Sequence, residues 1–479
     1  MTNEGLLAFA TIEELSVQLA KRKVSPVDLT ELFLRRIERY NPQLNAYLTV
    51  TAERALTAAR RAEKELTRSR SRPSGRHRSL LGIPIAFKDN IWTRGIRTTA
   101  GSKVLRDFVP AEDATVARKL ARAGAILLGK TNMHEFAYGI TNNNAHYGPV
   151  HNPWAPDRIS GGSSGGSAAA IAAGLCVASV GTDTGGSIRI PSAMCGIVGL
   201  KPTFGRVSVY GTVPLAPTFD HVGPLARSVA DAAILLGLLA GRDPLDPTSS
   251  ARRVENFSAA LRKPIRKFRL GRPREYFWEK LDGEVRHATE AAVRDMEKHG
   301  ATVREISLPH LGESVEASAD ISLAEARHYH EAAGYFPAHA NEYSEEVRQR
   351  LDAGGNVLAV QYLAGLGVQK RVRAEFDVAL RDLDAIVAPT VPVPAPPIGA
   401  EFVEIAGEQI GVRPALVGMN RPANFTGHPA ISVPCGFTRD GLPVGLQLIG
   451  RAFDEATLLR IALSYERAHD WRVRHPRLD

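Results

Sequence analysis

This chain has little of what would place it in several large functional classes. It holds 3 cysteines in 479 residues, an odd number and too few for a disulfide framework. Cys176, Cys195 and Cys435 lie in apolar contexts, so free thiols in a reducing, cytoplasmic compartment are expected. No CxxC, HExxH or clustered His/Asp/Glu spacing calls for a metal. The formal net charge is +9, but aromatics make up only 6% and none interleave with the basic residues, which argues against a nucleic-acid surface. Much of the charge is local: RSRSRPSGRHR (68–78) has the composition of a solvated, mobile loop. The longest apolar stretches carry glycine and stay short of a membrane span. The opening MTNEGLLAFATIEELS has no basic segment ahead of an apolar one, so no secretory signal is expected. No repeat at a solenoid period is visible.

What is present reads as globular, with 44% hydrophobic and 23% charged residues and a length that suits two domains or one large sandwich. Thr11 and Glu14 have capping-box spacing ahead of the apolar face Ile12, Leu15 and Leu19. Ser25-Pro26 opens a second helix, with Leu29, Leu32, Phe33 and Ile37 as its buried stripe. Gly82–Phe87 (GIPIAF), ending at Lys88, and Ala125–Gly129 (AILLG) read as core strands, with a helix holding Val116, Leu120 and Ala123 between them. A helix is expected near Ser228–Leu239 and a helix-rich, more polar segment over 312–380. A strand then leads into the proline-rich DAIVAPTVPVPAPP. Ala430–Pro434 and Pro443–Gly450 read as paired strands around the turn Arg439-Asp440-Gly441. Strands alternating with helices predict an α/β architecture, a mixed central sheet covered by helices in one large α/β/α sandwich.

The chemistry concentrates in Ile159–Pro202, where Ser163 (GGSSGG) and Ser187 (DTGGS) sit in glycine clusters 24 residues apart. Glycine lets backbone N–H groups approach a ligand closely. The buried helix expected at Ala168–Ala173 joins the two loops into one site, with a serine nucleophile and a serine relay. A serine needs a base, and none of the scattered histidines sits in a motif that marks it as one. Gly161–Gly165 is a literal G-x-S-x-G, yet Pro153–Arg158 before it reads as loop, whereas a hydrolase elbow follows a strand. A phosphate loop fails because no lysine follows Gly166. The remaining base is Lys88, whose pKa would fall if it were buried at the end of its strand; taken alone, it reads more readily as an ordinary strand-end lysine than as a base. Asp89 points to the opposite face and need not pair with it.

These segments resemble the amidase signature superfamily. GGSSGGSAAA and GTDTGGSIRIPSAMCGIVGLKPT look like its signature. GIPIAFKDN, GKTNMHEF, GPLARSVADAA and PAISVPCGF–GLPVGLQLIG are similar to its other landmarks. The resemblance implies one amidase domain over 1–479: N-terminal helices about 8–66, a signature core about 80–240, a helical insert about 312–380 and C-terminal core strands about 384–475. It implies Ser187 as acyl-forming nucleophile, Ser163 (after a cis Gly162–Ser163 peptide) as bridging serine and Lys88 as the ultimate base. The N–H groups of Thr184, Gly185, Gly186 and Ser187 would face the oxyanion. Asp183 and Arg189 are expected to brace the loop rather than react, the alternative being a local surface ion pair. Met194 and Cys195 would pack below the site, and Ser164 and Ser167 would hold the loop. Phe136, Tyr138 and Gly139 would border the pocket. Tyr329, Tyr335, Phe336 and Tyr343 in the insert would line it or pack helices.

The function implied is a stand-alone hydrolase of an aryl or alkyl amide, with carbamates and imides open. It would use no cofactor and no metal. Its partner would be a small-molecule amide, with no nucleic acid and no membrane, and a homodimer stays open. The alternative within the resemblance is the A subunit of a glutamyl-tRNA amidotransferase, which frees ammonia from glutamine. ARHYHEAAGYF (326–336), GMNRPANFTGHP (418–429) and FDHVGP (219–224) depart from the pattern of such subunits, so the hydrolase is the main expectation. A catalytically silent binding protein is a third reading, opposed by intact Lys88, Ser163 and Ser187.

Overall fold

The computed structural model describes residues 3–69, 79–263 and 267–478, so most of the arginine-rich segment 68–78 lies outside the described residues. The frame is an 11-stranded sheet. Its strands, in chain order, are β1 (Tyr47–Val50), β2 (Pro84–Lys88), β3 (Ile126–Thr131), β4 (Ala178–Asp183), β5 (Val198–Lys201), β6 (His221–Ala226), β7 (Arg269–Pro273), β8 (Thr302–Ile306), β9 (Ala385–Pro389), β10 (Ala430–Phe437) and β11 (Pro443–Gly450). Their order across the sheet is β1-β3-β2-β4-β6-β5-β10-β11-β9-β7-β8. The β3-β2-β4 and β9-β7-β8 blocks are parallel and the remaining pairings antiparallel, so the sheet is mixed, as expected for this α/β fold.

Local sequence explains most elements. Thr11 and Glu14 form the reciprocal capping box at the helix Ile12–Ala20, and Ser25 caps Pro26–Leu44. Leu29, Leu32, Phe33 and Ile37 are buried on the latter, one stripe against the core. The helix Gly165–Ala172 is buried along its whole length and packs on β4 and β6. The insert forms the helices Glu313–Ala332, Glu345–Gly354 and Ala359–Ala379. β10 and β11 pair around the expected turn.

Several elements differ from expectation. β2 and β3 each begin after the runs read from sequence; β2 ends at Lys88 as expected, and β3 ends beyond its run, at Thr131. Ala155–Ile159, expected as loop, pairs with His151–Asn152 in a hairpin outside the main sheet. β1 lies among the N-terminal helices, and β7 and β8 add a parallel edge. Edge strand β8 (TVREI) is only partly buried, and its exposed polar positions remove the apolar signal that marks a strand. Cys176 and Cys195 are buried, but Cys435 is only half-buried; all three are free.

Candidate active site

β2 and β4 are neighbouring parallel strands, so their last residues, Lys88 and Asp183, lie at the same edge of the sheet. Open α/β sheets gather ligands at that carboxyl end. Lys88 is fully buried and donates from Nζ to Ser163 Oγ at 2.7 Å and to Thr182 Oγ1 at 2.8 Å. Burial lowers its pKa to about 7, against the raising effect of the Asp183 and Asp220 carboxylates. Asp89 turns away, as expected, toward Lys130 Nζ at 3.5 Å.

The two serine loops are stitched together. The Gly162–Ser163 peptide is cis. The Ser164 N–H donates to the Ser187 carbonyl at 3.2 Å, and the Ser163 carbonyl accepts from the His134 N–H at 3.2 Å. Ser163 is fully buried and Ser187 is 3% exposed. Ser164 Oγ bonds the Thr182 carbonyl and Ser167 Oγ meets Thr131 Oγ1, so both hold the scaffold.

Asp183 organises the turn that carries Ser187. Its carboxylate accepts from the N–H groups of Gly186 at 2.8 Å and Ile188 at 3.1 Å. Arg189 grips it bidentately, Nε to Oδ2 at 3.1 Å and Nη2 to Oδ1 at 3.0 Å, and Asn424 Nδ2 adds 2.8 Å. Burial alone would raise the Asp183 carboxyl; Arg189 more than offsets it and holds it well below the carboxylate range. Both residues are fully buried, so this is a buried brace rather than a local surface ion pair. Gly186, at φ +116°, makes the turn; a Cβ there would sit 2.6 Å from Asn420 Cβ. Because the Gly186 N–H is given to Asp183, it leaves the expected set of oxyanion donors, and Thr184, Gly185 and Ser187 remain. Thr184 Oγ1 is itself tied to Asp220 Oδ1 at 2.5 Å. Met194 and Cys195 are buried beneath.

The expected pocket residues separate. Phe136 is buried edge-on against His330, with ring centroids 4.4 Å apart, and lies 5.5 Å from the Tyr343 ring. Phe336 packs on Tyr343, and Tyr329 and Tyr335 pack on each other and on His330, so this aromatic cluster joins the insert to the core. Gly139 lies under the His134 ring, where a Cβ would come within 2.1 Å. Tyr138 faces arginines instead: its carbonyl accepts from Arg350 and Arg413. Sequence reading singles out neither Thr182, which shares the Lys88 amine, nor Asn424 and Gln447, which complete the Arg189 cradle. The only signal available is their position in landmark segments. Asp220 lies in FDHVGP and Asn424 in GMNRPANFTGHP, both distinctive stretches of the sequence.

The fold, with this constellation of a buried lysine, two serine loops and a braced turn, is that of an enzyme acting on amide C–N bonds. The chain belongs to the amidase family, whose model (Amidase) matches residues 28–459. It is 41% identical over 480 residues to the A subunit of glutamyl-tRNA(Gln) amidotransferase from Koribacter versatilis (strain Ellin345), covering 96% of this chain and 98% of that protein. Among solved structures, it matches a chain described as part of an unexpected vestigial protein complex revealing the evolutionary origins of an s-triazine catabolic enzyme. That match has TM-score 0.90 and 34% identity, covering 98% of this chain and 100% of the other. It also matches the peptide amidase of Stenotrophomonas maltophilia, with TM-score 0.84 and 32% identity over 98% and 99% of the two chains.

These likenesses correct one expectation. A chain acting alone on a small-molecule amide, with at most a second copy of itself, is not what the relatives point to. Close relatives along nearly the whole length are named as one subunit of a larger enzyme, so protein partners are indicated. Among the described residues, no helix is long and apolar enough to cross a membrane.

Proposed function

We propose that this chain is the amide-cleaving component of an amidotransferase, releasing ammonia from glutamine beside partner subunits. The near full-length likeness to amidotransferase A subunits supports the glutamine reading over a stand-alone hydrolase of aryl or alkyl amides. The observation that carries the chemistry is the 2.7 Å contact between the fully buried Lys88 amine and Ser163 Oγ.

The mechanism follows from that contact. Neutral Lys88 accepts the Ser163 hydroxyl proton as Ser163 accepts the Ser187 proton. Ser187 Oγ then attacks the amide carbonyl. The N–H groups of Thr184, Gly185 and Ser187 receive the oxyanion, on a turn held rigid by Asp183 and Arg189. Collapse breaks the C–N bond, and Ser163 returns a proton to the departing ammonia. Water then cleaves the Ser187 ester through the same relay. A lysine pKa near 7 suits a base that must be neutral at working pH.

The test is ammonia release from glutamine. It is measured on the chain purified with its copurifying proteins and on the chain alone, with Ser187→Ala as control. The expected result is release that depends on Ser187 and is strongest with the copurifying proteins. Turnover confined to other amides by the isolated chain would overturn the glutamine reading. Turnover of glutamine unaffected by Ser187→Ala would overturn the triad.

A further inference from the structure

Three arginines gather around Tyr138, one of them against the Ser187 turn, and their charges are unequally met. Arg350 is paired with Glu346, a carboxylate also engaged by His134. Arg413 and Arg421 have no carboxylate partner among the described residues. Arg413 Nη1 reaches only the Tyr138 carbonyl, at 3.3 Å. Arg421 is 7% exposed and donates from Nη1 to Ser322 Oγ at 2.6 Å. Among the described residues its buried Nε has no hydrogen-bond partner, nor has the hydroxyl of Tyr138, a side chain 2% exposed.

Arg421 lies against the reacting loop. A Cβ built on Gly185 would sit 2.9 Å from Arg421 Nε and 3.1 Å from Nη2, two residues before Ser187. Glycine at 185 is therefore what lets the guanidinium approach the turn. The nearby carboxylates cannot serve it. Asp183 is consumed by Arg189, Asn424 and two N–H groups, and Asp220 by Thr184 and the N–H groups of Leu215 and Ala216. A buried guanidinium without a counter-charge is costly to hold, and its fork matches a carboxylate bidentately. Burial, and after it the neighbouring Arg350 and Arg421, lower Arg413 to about 9, against the opposing effect of Tyr138 and Glu346.

We propose that Arg413 and Arg421, with the Tyr138 hydroxyl, form an anion subsite that receives a carboxylate of the amide substrate and sets its carbonyl over Gly185–Ser187. This deepens the function proposed above and rests on it. The substrate class becomes an amide bearing a free carboxylate, which includes glutamine and the monoamides of dicarboxylic acids. These arginines are specificity-determining residues; Lys88, Ser163 and Ser187 perform the chemistry.

The test compares glutaramate, which bears a carboxylate, with pentanamide, which does not, in the full chain and in Arg413→Met, Arg421→Met and Arg421→Lys. The kcat/KM ratio of glutaramate over pentanamide is expected to fall about 10- to 100-fold in each methionine variant, mostly through KM. Arg421→Lys should recover part of that ratio, because charge survives without the fork. An unchanged ratio overturns the subsite even where turnover persists. If wild-type protein cleaves no amide, the function reading fails instead, and binding then decides the subsite separately. Glutarate titrated into Ser187→Ala by calorimetry should bind saturably and lose that binding in Ser187→Ala/Arg421→Met. Absence of glutarate binding at millimolar concentration, in protein with native circular dichroism, overturns it.

Discussion

The pH dependence of turnover tests the lysine most directly. Burial brings Lys88 from 10.5 to about 7, although Asp183 and Asp220 oppose the shift. At pH 7 about half of such a lysine is neutral, against about 3 in 10,000 for an ordinary one. The protein therefore gains more than a thousandfold in available base without moving an atom. The plot of log kcat/KM against pH should rise with unit slope below about 7 and flatten above it. The assay is ammonia release at saturating and limiting substrate from pH 5 to 9, with circular dichroism at each pH to show that the fold persists. Lys88→Met should lose about 100- to 10,000-fold at the plateau. Lys88→Arg should do no better, since a guanidinium stays protonated. A limb near pH 10, a flat profile, or activity retained in Lys88→Arg would refute the reasoning.

Three further outcomes follow from the same geometry. Arg189→Met leaves the buried Asp183 carboxylate unpaired; it should cost about 3–5 kcal/mol in urea unfolding and move the Lys88 limb to higher pH. Gly186→Ala meets both a φ of +116° and Asn420 Cβ at 2.6 Å. It should destabilise the chain by about 1–3 kcal/mol and depress kcat as the turn shifts. Lys88→Met should raise the melting temperature most at low pH. The folded pKa of about 7 lies below the unfolded 10.5, so the penalty for burying the amine is complete below about 7 and relieved as pH climbs toward 10.5. Equal shifts at pH 6 and pH 10 would contradict this.

The parts legible in sequence are those whose determinants are local. The capping box at Thr11 and Glu14, the cap at Ser25 and the glycine-flanked serines need only neighbours in the chain. Lys88, Ser163 and Ser187 are expected in one site because each belongs to a distinctive segment, and the 2.7 Å contact joins two of them. What stays hidden depends on long-range convergence. Arg189 reads as any charged residue until Asn424 and Gln447, more than two hundred residues on, close around it. Phe136 reads as a pocket wall, yet His330 and Tyr343 from the insert bury it. Gly186 reads as an oxyanion donor, because sequence does not reveal that the Asp183 side chain folds back onto its N–H. β7 and β8 escape a sequence reading because an edge position tolerates the polar residues that erase strand periodicity.

The charges of this site are distributed with a direction. On the scaffold side, the negative groups are paired or hydrogen-bonded. Arg189 saturates Asp183, and burial raises Asp220 to about 6 although Thr184 and two N–H groups oppose it. Burial leaves the Lys88 pKa at about 7, outweighing Asp183 and Asp220, which still raise it. The buried ion pair fixes the turn and sets a positive charge against the carboxylate that favours the Lys88 ammonium. Beside Gly185 of the Ser187 turn, Arg421 carries positive charge with no carboxylate partner among the described residues, and Arg413 adds to it. A carbonyl placed between the two sides would meet a field that favours negative charge developing on its oxygen. An acyl group carrying a carboxylate would be held by the same field before reaction begins. One arrangement thus serves both the proton relay and the choice of substrate.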